Sequence, residues 1–219
     1  MTHLYTGPTD LTYHDGKLHI EGYPDARRVV KLATPAAKRL AALRLHQVDL
    51  GLCEKLMQFL CNIDQADLSE ALWTAILTKF FSCFGDSKAR AALHPTKVYK
   101  GIPDALTAFR FFENIRNKHV VHDENNYRLS TTAVVLGDNS EVQDILSFAV
   151  DSFYRNEETS QTLYNLIDRT RKFVESEIAS TLKKIFTEVN TMTPSEREQL
   201  PELSYRVPVS GDEGKTRKY

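Results

Sequence analysis

A long stripe of apolar residues at helical spacing runs through the last third of the chain and limits what it can fold into. Side chains three and four positions apart share one face of an α-helix, so the stripe predicts a single helix from about residue 157 to residue 190. Such a helix must bury its apolar face against other elements, which indicates a helical core. The stripe consists of Leu163, Ile167, Thr170, Val174, Ile178, Leu182, Ile185 and Val189.

Two long helices are predicted near the start of the chain. The first begins after Thr34, because Thr suits the N-cap and the proline that follows suits the first helical position. Its apolar stripe extends to about Asn62. The second begins at Asp67, where Asp67 and Glu70 resemble a capping box, and it ends at Gly85. Glycine and proline are sparse, at 9 and 8 residues, which disfavours an all-β fold.

Short β elements are predicted on either side of these helices. Residues 11–20 alternate in polarity around Asp15 and Gly16, which is typical of a hairpin. Residues 131–136 are β-branched and apolar and predict a strand. Residues 142–150 fit a second strand or a short helix, because the spacing of their apolar residues does not distinguish the two. The predicted fold is therefore all-α, a bundle of four to five helices with small β insertions, namely the N-terminal hairpin and a second one after the third long helix.

Changes in composition suggest three segments. Residues 1–33 form an N-terminal extension with the first hairpin. Residues 34–192 form the helical domain. Residues 193–219 contain a short helix that starts after Thr193, followed by an arm that ends in basic and aromatic residues.

The residues with the greatest chemical potential stand at the end of the third long helix. This helix begins near Pro103 and is expected to end at residues 119–123, which lead into a turn sequence. An arginine can hold two phosphate oxygens, and a histidine with a pKa near its ordinary value of about 6.5 can give or take a proton. Both residue types at one helix end favour a nucleolytic function. The segment contains Glu113, Arg116, Asn117, Lys118, His119 and His122.

The sequence Arg116-Asn117-Lys118 with His122 resembles the motif of HEPN-domain ribonucleases, and especially the branch found in abortive-infection proteins. That motif is an arginine, a polar neighbour and a histidine a few positions later. Its commonest form has four intervening residues, and this chain has five. The resemblance implies a HEPN-like helical bundle over roughly residues 35–190. It also implies an endoribonuclease that cleaves RNA through the 2′-OH without a metal, as a toxin or phage-defence effector.

The resemblance assigns roles to individual residues. Arg116 and His122 would be catalytic, and Asn117 would orient the site or bind phosphate. Glu113 lies one turn before Arg116 and is expected to pair with it and fix its rotamer. Two further residues of the segment, Lys118 and His119, would have supporting roles.

One histidine cannot easily make both proton transfers of RNA cleavage. The resemblance therefore implies a homodimer whose composite active site receives Arg116 and His122 from each chain. Phe109 and Phe112, on the apolar face of the same helix, would either flank that contact or lie in the chain's own core. Besides the RNA substrate, the expected partners are an antitoxin or a larger defence complex.

Basic residues cluster near the N-terminus although the net charge is only −1. No acidic residue occurs between positions 26 and 44. Such a face can bind a nucleic-acid backbone, while the simpler reading is a solvated helix face. The candidate RNA-binding residues are Arg27, Arg28, Lys38, Arg39 and, after the motif, Arg128.

The cysteines favour a cytoplasmic protein. Cys53, Cys61 and Cys83 form no CxxC pair, which is typical of reduced thiols. The N-terminus does not read as a signal peptide. No apolar run approaches the roughly 20 residues of a membrane span, so no membrane contact is expected. No metal or cofactor is expected either, since no paired Cys/His spacing is present.

The same segment is compatible with three alternative roles. A HEPN module without catalysis would bind RNA or a protein partner. His122 with Asp123 also resembles the HD metal-dependent phosphohydrolases, for which His94 and Asp151 would supply further ligands. As purely structural groups, Arg116 would form a surface ion pair and His122 would favour the helix C-terminus.

Overall fold

A computed structural model shows a mostly helical chain, as the periodicity predicted. None of the described helices is long and apolar enough to cross a membrane. The described residues are 11–14, 17–20, 23, 28–85, 87, 90–121, 128–151, 155–203 and 209–215. Only the backbone is described at residues 11–14, 17–20, 119, 121, 128 and 151.

The helices begin close to where the sequence indicated. The Thr34 N-cap is confirmed, because its hydroxyl oxygen accepts from the backbone N–H of Ala37 at 3.2 Å. The capping box at Asp67 is wrong: the helix begins earlier, and Asp67 lies in its first turn, where a carboxylate favours the helix dipole. The elements are α1 (Pro35–Leu60), α2 (Ala66–Ser82), α3 (Pro95–Val98), α4 (Pro103–Ile115), a π-helical segment (Arg116–Val121), α5 (Glu157–Thr191) and α6 (Pro194–Glu198).

Both β insertions are antiparallel hairpins. The first joins β1 (Leu11–His14) to β2 (Lys17–Ile20), and the second joins β3 (Arg128–Leu136) to β4 (Val142–Asp151). The ambiguous residues 142–150 are therefore a strand. In the second hairpin Leu129 faces Val150 across the ladder, and the register shifts near the turn, after Val135.

The chain divides into two compact units. The first comprises the described residues of Met1–Val48, Asp86–Ala91 and Val174–Tyr219, and the second comprises those of Asp49–Gly85 and Ala92–Phe173. The second unit holds the motif, together with α2, α3 and α4.

The core of the second unit is rich in aromatic side chains. The ring of Phe109 lies 4.7 Å from that of Phe84 and 5.1 Å from that of Phe81. Phe112 packs edge-on to Trp73 at 6.0 Å. Phe109 and Phe112 are each only 1% exposed, so they belong to the chain's own core and cannot flank a contact between two chains.

A buried hydrogen-bonded pair, Tyr99 and Thr170, crosses this core. The Thr170 hydroxyl donates to the Leu166 carbonyl at 2.8 Å. Its single proton is thus used, so the Tyr99 hydroxyl must donate to Thr170 Oγ1, 2.9 Å away. Burial raises the pKa of Tyr99 well above its ordinary value, which keeps the phenol protonated. The hydroxyl of Thr170 within an apolar stripe is thereby satisfied.

In the first unit, the chain preceding α1 pairs with the chain that follows α6. Lys31 N–H donates to the Pro201 carbonyl, and Leu203 N–H donates to the Val29 carbonyl, each at 2.8 Å. The Arg28 guanidinium donates to the Glu198 and Leu200 carbonyls at 3.0 and 3.1 Å. A short antiparallel contact therefore holds part of the C-terminal segment in place.

The Tyr99–Thr170 pair predicts an asymmetric response to substitution. Tyr99→Phe should cost about 1 kcal/mol, because Thr170 keeps its bond to Leu166. Thr170→Val should cost about 2 kcal/mol, because it leaves the buried Tyr99 hydroxyl without an acceptor. Urea unfolding of both variants and of the double variant measures the difference. Equal costs for the two single variants would contradict the assigned direction of the bond.

Candidate functional site

The aromatic core positions the candidate site. Phe109, Phe112 and Ile115 are all buried on one face of α4, which fixes the rotation and the depth of the helix. Arg116 follows directly, and the π-helical segment that it opens packs against α2. Arg116 and Asn117 are consequently half-buried, whereas Lys118 is exposed.

The helix changes type at the first residue of the motif. The backbone stays helical to Val121, within the range that the sequence indicated, but residues Arg116–Val121 form a π-helix. In a π-helix each backbone bond spans five residues instead of four, and such turns occur frequently at functional sites. No periodicity in the sequence distinguished this segment from the α-helix before it.

Two of the three donor nitrogens of Arg116 have contrasting surroundings. Its Nη1 donates to the Oδ1 of Asn117 at 2.7 Å, which orients the guanidinium. Its Nε is buried and has no hydrogen-bond partner among the described residues. An unpaired buried donor costs about 1–3 kcal/mol, and an anionic oxygen would remove that cost. The arrangement is thus suited to an oxyanion such as a phosphate.

Glu113 does not have its expected role. Among the described residues it forms no ion pair with Arg116, because the adjacent Asn117 supplies the acceptor instead. The expected pairing of Glu113 with Arg116 is therefore wrong. The acid remains half-buried on α4, one turn before the motif.

The structure describes little of the two histidines of the motif. His122 and Asp123 lie outside the described residues, and at His119 only the backbone is described. Arg116 and Asn117, which are adjacent in the chain, are joined by a side-chain hydrogen bond. His94 is exposed at the start of α3. In the part of the chain that the structure describes, no group of three His, Cys, Asp or Glu residues could hold a metal ion.

The proposed RNA-binding residues have different surroundings. Arg28 holds the C-terminal segment, and Arg39 lies 3.5 Å from the Glu177 carboxylate. Lys38 is exposed on α1. Of the other two, Arg27 lies outside the described residues and Arg128 is described only as the first backbone position of β3.

The basic stretch surrounds an apolar groove that sequence reasoning missed. Lys31, Lys38 and Arg44 line a cavity of about 590 Å³ in the first unit, with apolar residues from α1 and α5 between them. Positive charge and apolar lining coincide here because α1 carries its cations beside a stripe of alanine and leucine. The only signal in the sequence was the run without acids.

The unpaired Nε of Arg116 predicts a conflict between stability and function. Arg116→Met removes the buried donor and keeps the aliphatic stem, but it also removes the Nη1 bond to Asn117, so the free energy of unfolding should change by less than about 1 kcal/mol. Arg110→Met, on the exposed side of α4, is the matched control and should change stability by less than about 0.5 kcal/mol. Chemical denaturation measures both. A loss above about 2 kcal/mol for Arg116→Met would show that Nε has a partner.

Taken together, the site offers a half-buried guanidinium, an amide that orients it, and a helix end that leads to a histidine in sequence. These groups can bind a phosphate and, with His122, transfer a proton.

The chain matches no protein-family model, no curated protein and no solved structure. Its chemistry is therefore inferred from the residues of this segment.

Proposed function

We propose that this protein is a metal-independent endoribonuclease of the HEPN type. The observation that carries the proposal is the Arg116 guanidinium, which Asn117 holds and whose buried Nε has no hydrogen-bond partner among the described residues. A phosphate oxygen would supply an acceptor for this donor.

The helix type is a second source of support. A π-turn contains one residue more than an α-turn. This chain has five residues between Arg116 and His122, one more than the commonest form of the motif. The π-helical segment lies within that spacer, so it accommodates the additional residue without ending the helix.

In the proposed reaction, Arg116 binds the scissile phosphate and offsets the charge that develops on its oxygens. The 2′-oxygen of the substrate loses its proton and attacks phosphorus, and the bond to the 5′-oxygen breaks as that oxygen gains a proton. The products are a 2′,3′-cyclic phosphate and a 5′-hydroxyl. His122 acts as the base or acid, and Asn117 keeps the guanidinium aligned.

The two proton transfers favour a homodimer with a composite site, in which each chain contributes Arg116 and His122. Of the candidate RNA-binding residues whose side chains are described, Lys38 is exposed and could contact a nucleic-acid backbone. We propose a cytoplasmic toxin or phage-defence effector that an antitoxin or a larger complex controls. The absence of any CxxC pair among Cys53, Cys61 and Cys83 favours a reducing location.

The active pair predicts the effects of three substitutions. Arg116→Ala and His122→Ala should each lower kcat for RNA cleavage by orders of magnitude, as removal of groups that act in the transition state does. Circular dichroism should show an unchanged helical content. His119→Ala is the control within the same segment and should lower stability more than kcat. Loss of cleavage with His119→Ala but not with His122→Ala would reverse the assignment of the two histidines.

The proposed metal-independent mechanism predicts the products. Cleavage should persist in EDTA and leave a 2′,3′-cyclic phosphate or the 3′-phosphate formed from it, which mass spectrometry of a short oligonucleotide identifies. Products with a 3′-hydroxyl would instead indicate water activated by a metal. RNA binding without any cleavage would contradict the enzymatic proposal and indicate a HEPN-like binding module.

A further inference from the structure

Ser69, near the start of α2, has a buried hydroxyl group that is not bonded to its own helix. The residue is only 4% exposed, and its Oγ has no hydrogen-bond partner among the described residues. A serine or threonine within a helix can donate to the carbonyl four residues earlier, as Thr170 donates to Leu166. For Ser69 that carbonyl belongs to Gln65, and it accepts from the backbone N–H of Ser69 instead. The hydroxyl is therefore free to bond a group outside α2.

The aromatic contacts between α2 and α4 show which residues of the two helices face each other. The ring of Phe109 lies 6.3 Å from that of Phe80, and the ring of Phe112 lies 6.0 Å from that of Trp73. As the chain advances along α4, its partners on α2 move back towards the start of that helix. The two helices are therefore antiparallel along this contact.

The next turn of the same contact brings Arg116 opposite Ser69. Arg116 follows Phe112 by four residues, and Ser69 precedes Trp73 by four, so each lies one turn further along the same face of its helix. Ser69 is buried together with Trp73, and the π-helical segment that begins at Arg116 packs against α2. Two aromatic pairs along the contact are thus followed by a polar pair.

Both members of the polar pair can donate a hydrogen bond, and neither has an acceptor in the described part of the chain. The Nε of Arg116 is buried without a partner, as is the Ser69 hydroxyl, so the two are not bonded to each other. An oxyanion between them would accept from both, because a phosphate oxygen has several lone pairs and its charge strengthens each bond. Arg116 is only half-buried, so part of the residue is in contact with solvent.

We propose that Ser69 is a phosphate-binding residue, whose hydroxyl donates to the same phosphate group that Arg116 binds. The proposal rests on the proposed function in one respect, namely that Arg116 binds a phosphate of RNA. The guanidinium supplies the charge, and the short serine side chain supplies a donor whose position is fixed by the packing of α2. Two donors on different helices hold an anion in one orientation, which a single arginine does less well.

The end of α2 at which Ser69 lies also favours an anion. The first backbone N–H groups of a helix and its dipole attract negative charge, and Gln65 at the N-cap gives these groups no side-chain acceptor. One acid, Asp67, lies in the first turn. It is two residues from Ser69, which places it about 200° away around the helix, and it is exposed. Its carboxylate therefore lies away from the face that Ser69 shares with Trp73.

Ser69→Ala tests the proposal with inorganic phosphate, a probe that requires no cleavage. Isothermal titration calorimetry should show phosphate binding to the wild-type chain and at least about tenfold weaker binding to Ser69→Ala, because a hydrogen bond to a charged group is lost. Ser82→Ala is the matched control: it removes a hydroxyl near the other end of α2, where Ser82 donates to the Lys79 carbonyl, and it should bind phosphate as the wild type does. In an Arg116→Met background, Ser69→Ala should cause less than about twofold further loss, because both groups hold one ion.

Stability in phosphate-free buffer separates phosphate binding from a structural role. Because Ser69→Ala removes a buried hydroxyl that lacks a partner, its urea midpoint should equal or exceed that of the wild type. A lower midpoint together with unchanged phosphate affinity would show that the hydroxyl bonds a structural group such as an ordered water, and it would overturn the proposal. A wild-type chain that binds no phosphate would overturn it as well, as would equal losses of affinity in Ser69→Ala and Ser82→Ala.

RNA cleavage by the same variants distinguishes this proposal from the proposed function. Ser69→Ala should raise KM for RNA more than it lowers kcat, because the hydroxyl binds the phosphate before the reaction as well as during it. Weaker phosphate binding by Ser69→Ala in a protein that cleaves no RNA would support the role of Ser69 and reject the proposed enzyme. Cleavage that Arg116→Ala abolishes and that Ser69→Ala leaves at the wild-type KM would support the enzyme and reject the role of Ser69.

Discussion

Phe109 packs with its ring 4.7 Å from Phe84, and one turn later Phe112 packs against Trp73. The position of the candidate site depends on these contacts, because α4 ends only three residues after Phe112. Two buried aromatic side chains and Ile115 fix the rotation of the helix, so the first motif residue emerges at a defined depth. Packing that is as dense as this resists displacement, and it therefore gives Arg116 a rigid support.

At the end of α4, where Arg116 lies, the structure contains a locally unfavourable feature. A satisfied core is seen at Tyr99, whose buried hydroxyl has an acceptor, yet Nε of Arg116 is buried without one among the described residues. Functional sites are where such costs tend to be retained, because a group already oriented and desolvated binds an anion more strongly. The backbone also departs from regular geometry at this place, because a π-helix replaces the α-helix at the first residue of the motif.

The β3–β4 hairpin poses the converse problem, with apolar rather than polar groups left unsatisfied. Phe148 and Leu129 are about half exposed, although the sequence alternates as a half-buried strand should.

Local rules made much of this fold predictable from sequence. The 3.6-residue period located α1, α2, α4 and α5, and the Thr34 cap depends only on a neighbour three residues away. Arg116, Asn117 and His122 were chosen by residue type and order, and the roles of all three stay predictions. Tertiary structure alone decided that Phe109 is core, that Arg28 binds carbonyls some 170 residues away, and that Nε of Arg116 has no partner among the described residues. These outcomes depend on which surfaces meet, and periodicity shows only that a face is apolar, not what covers it.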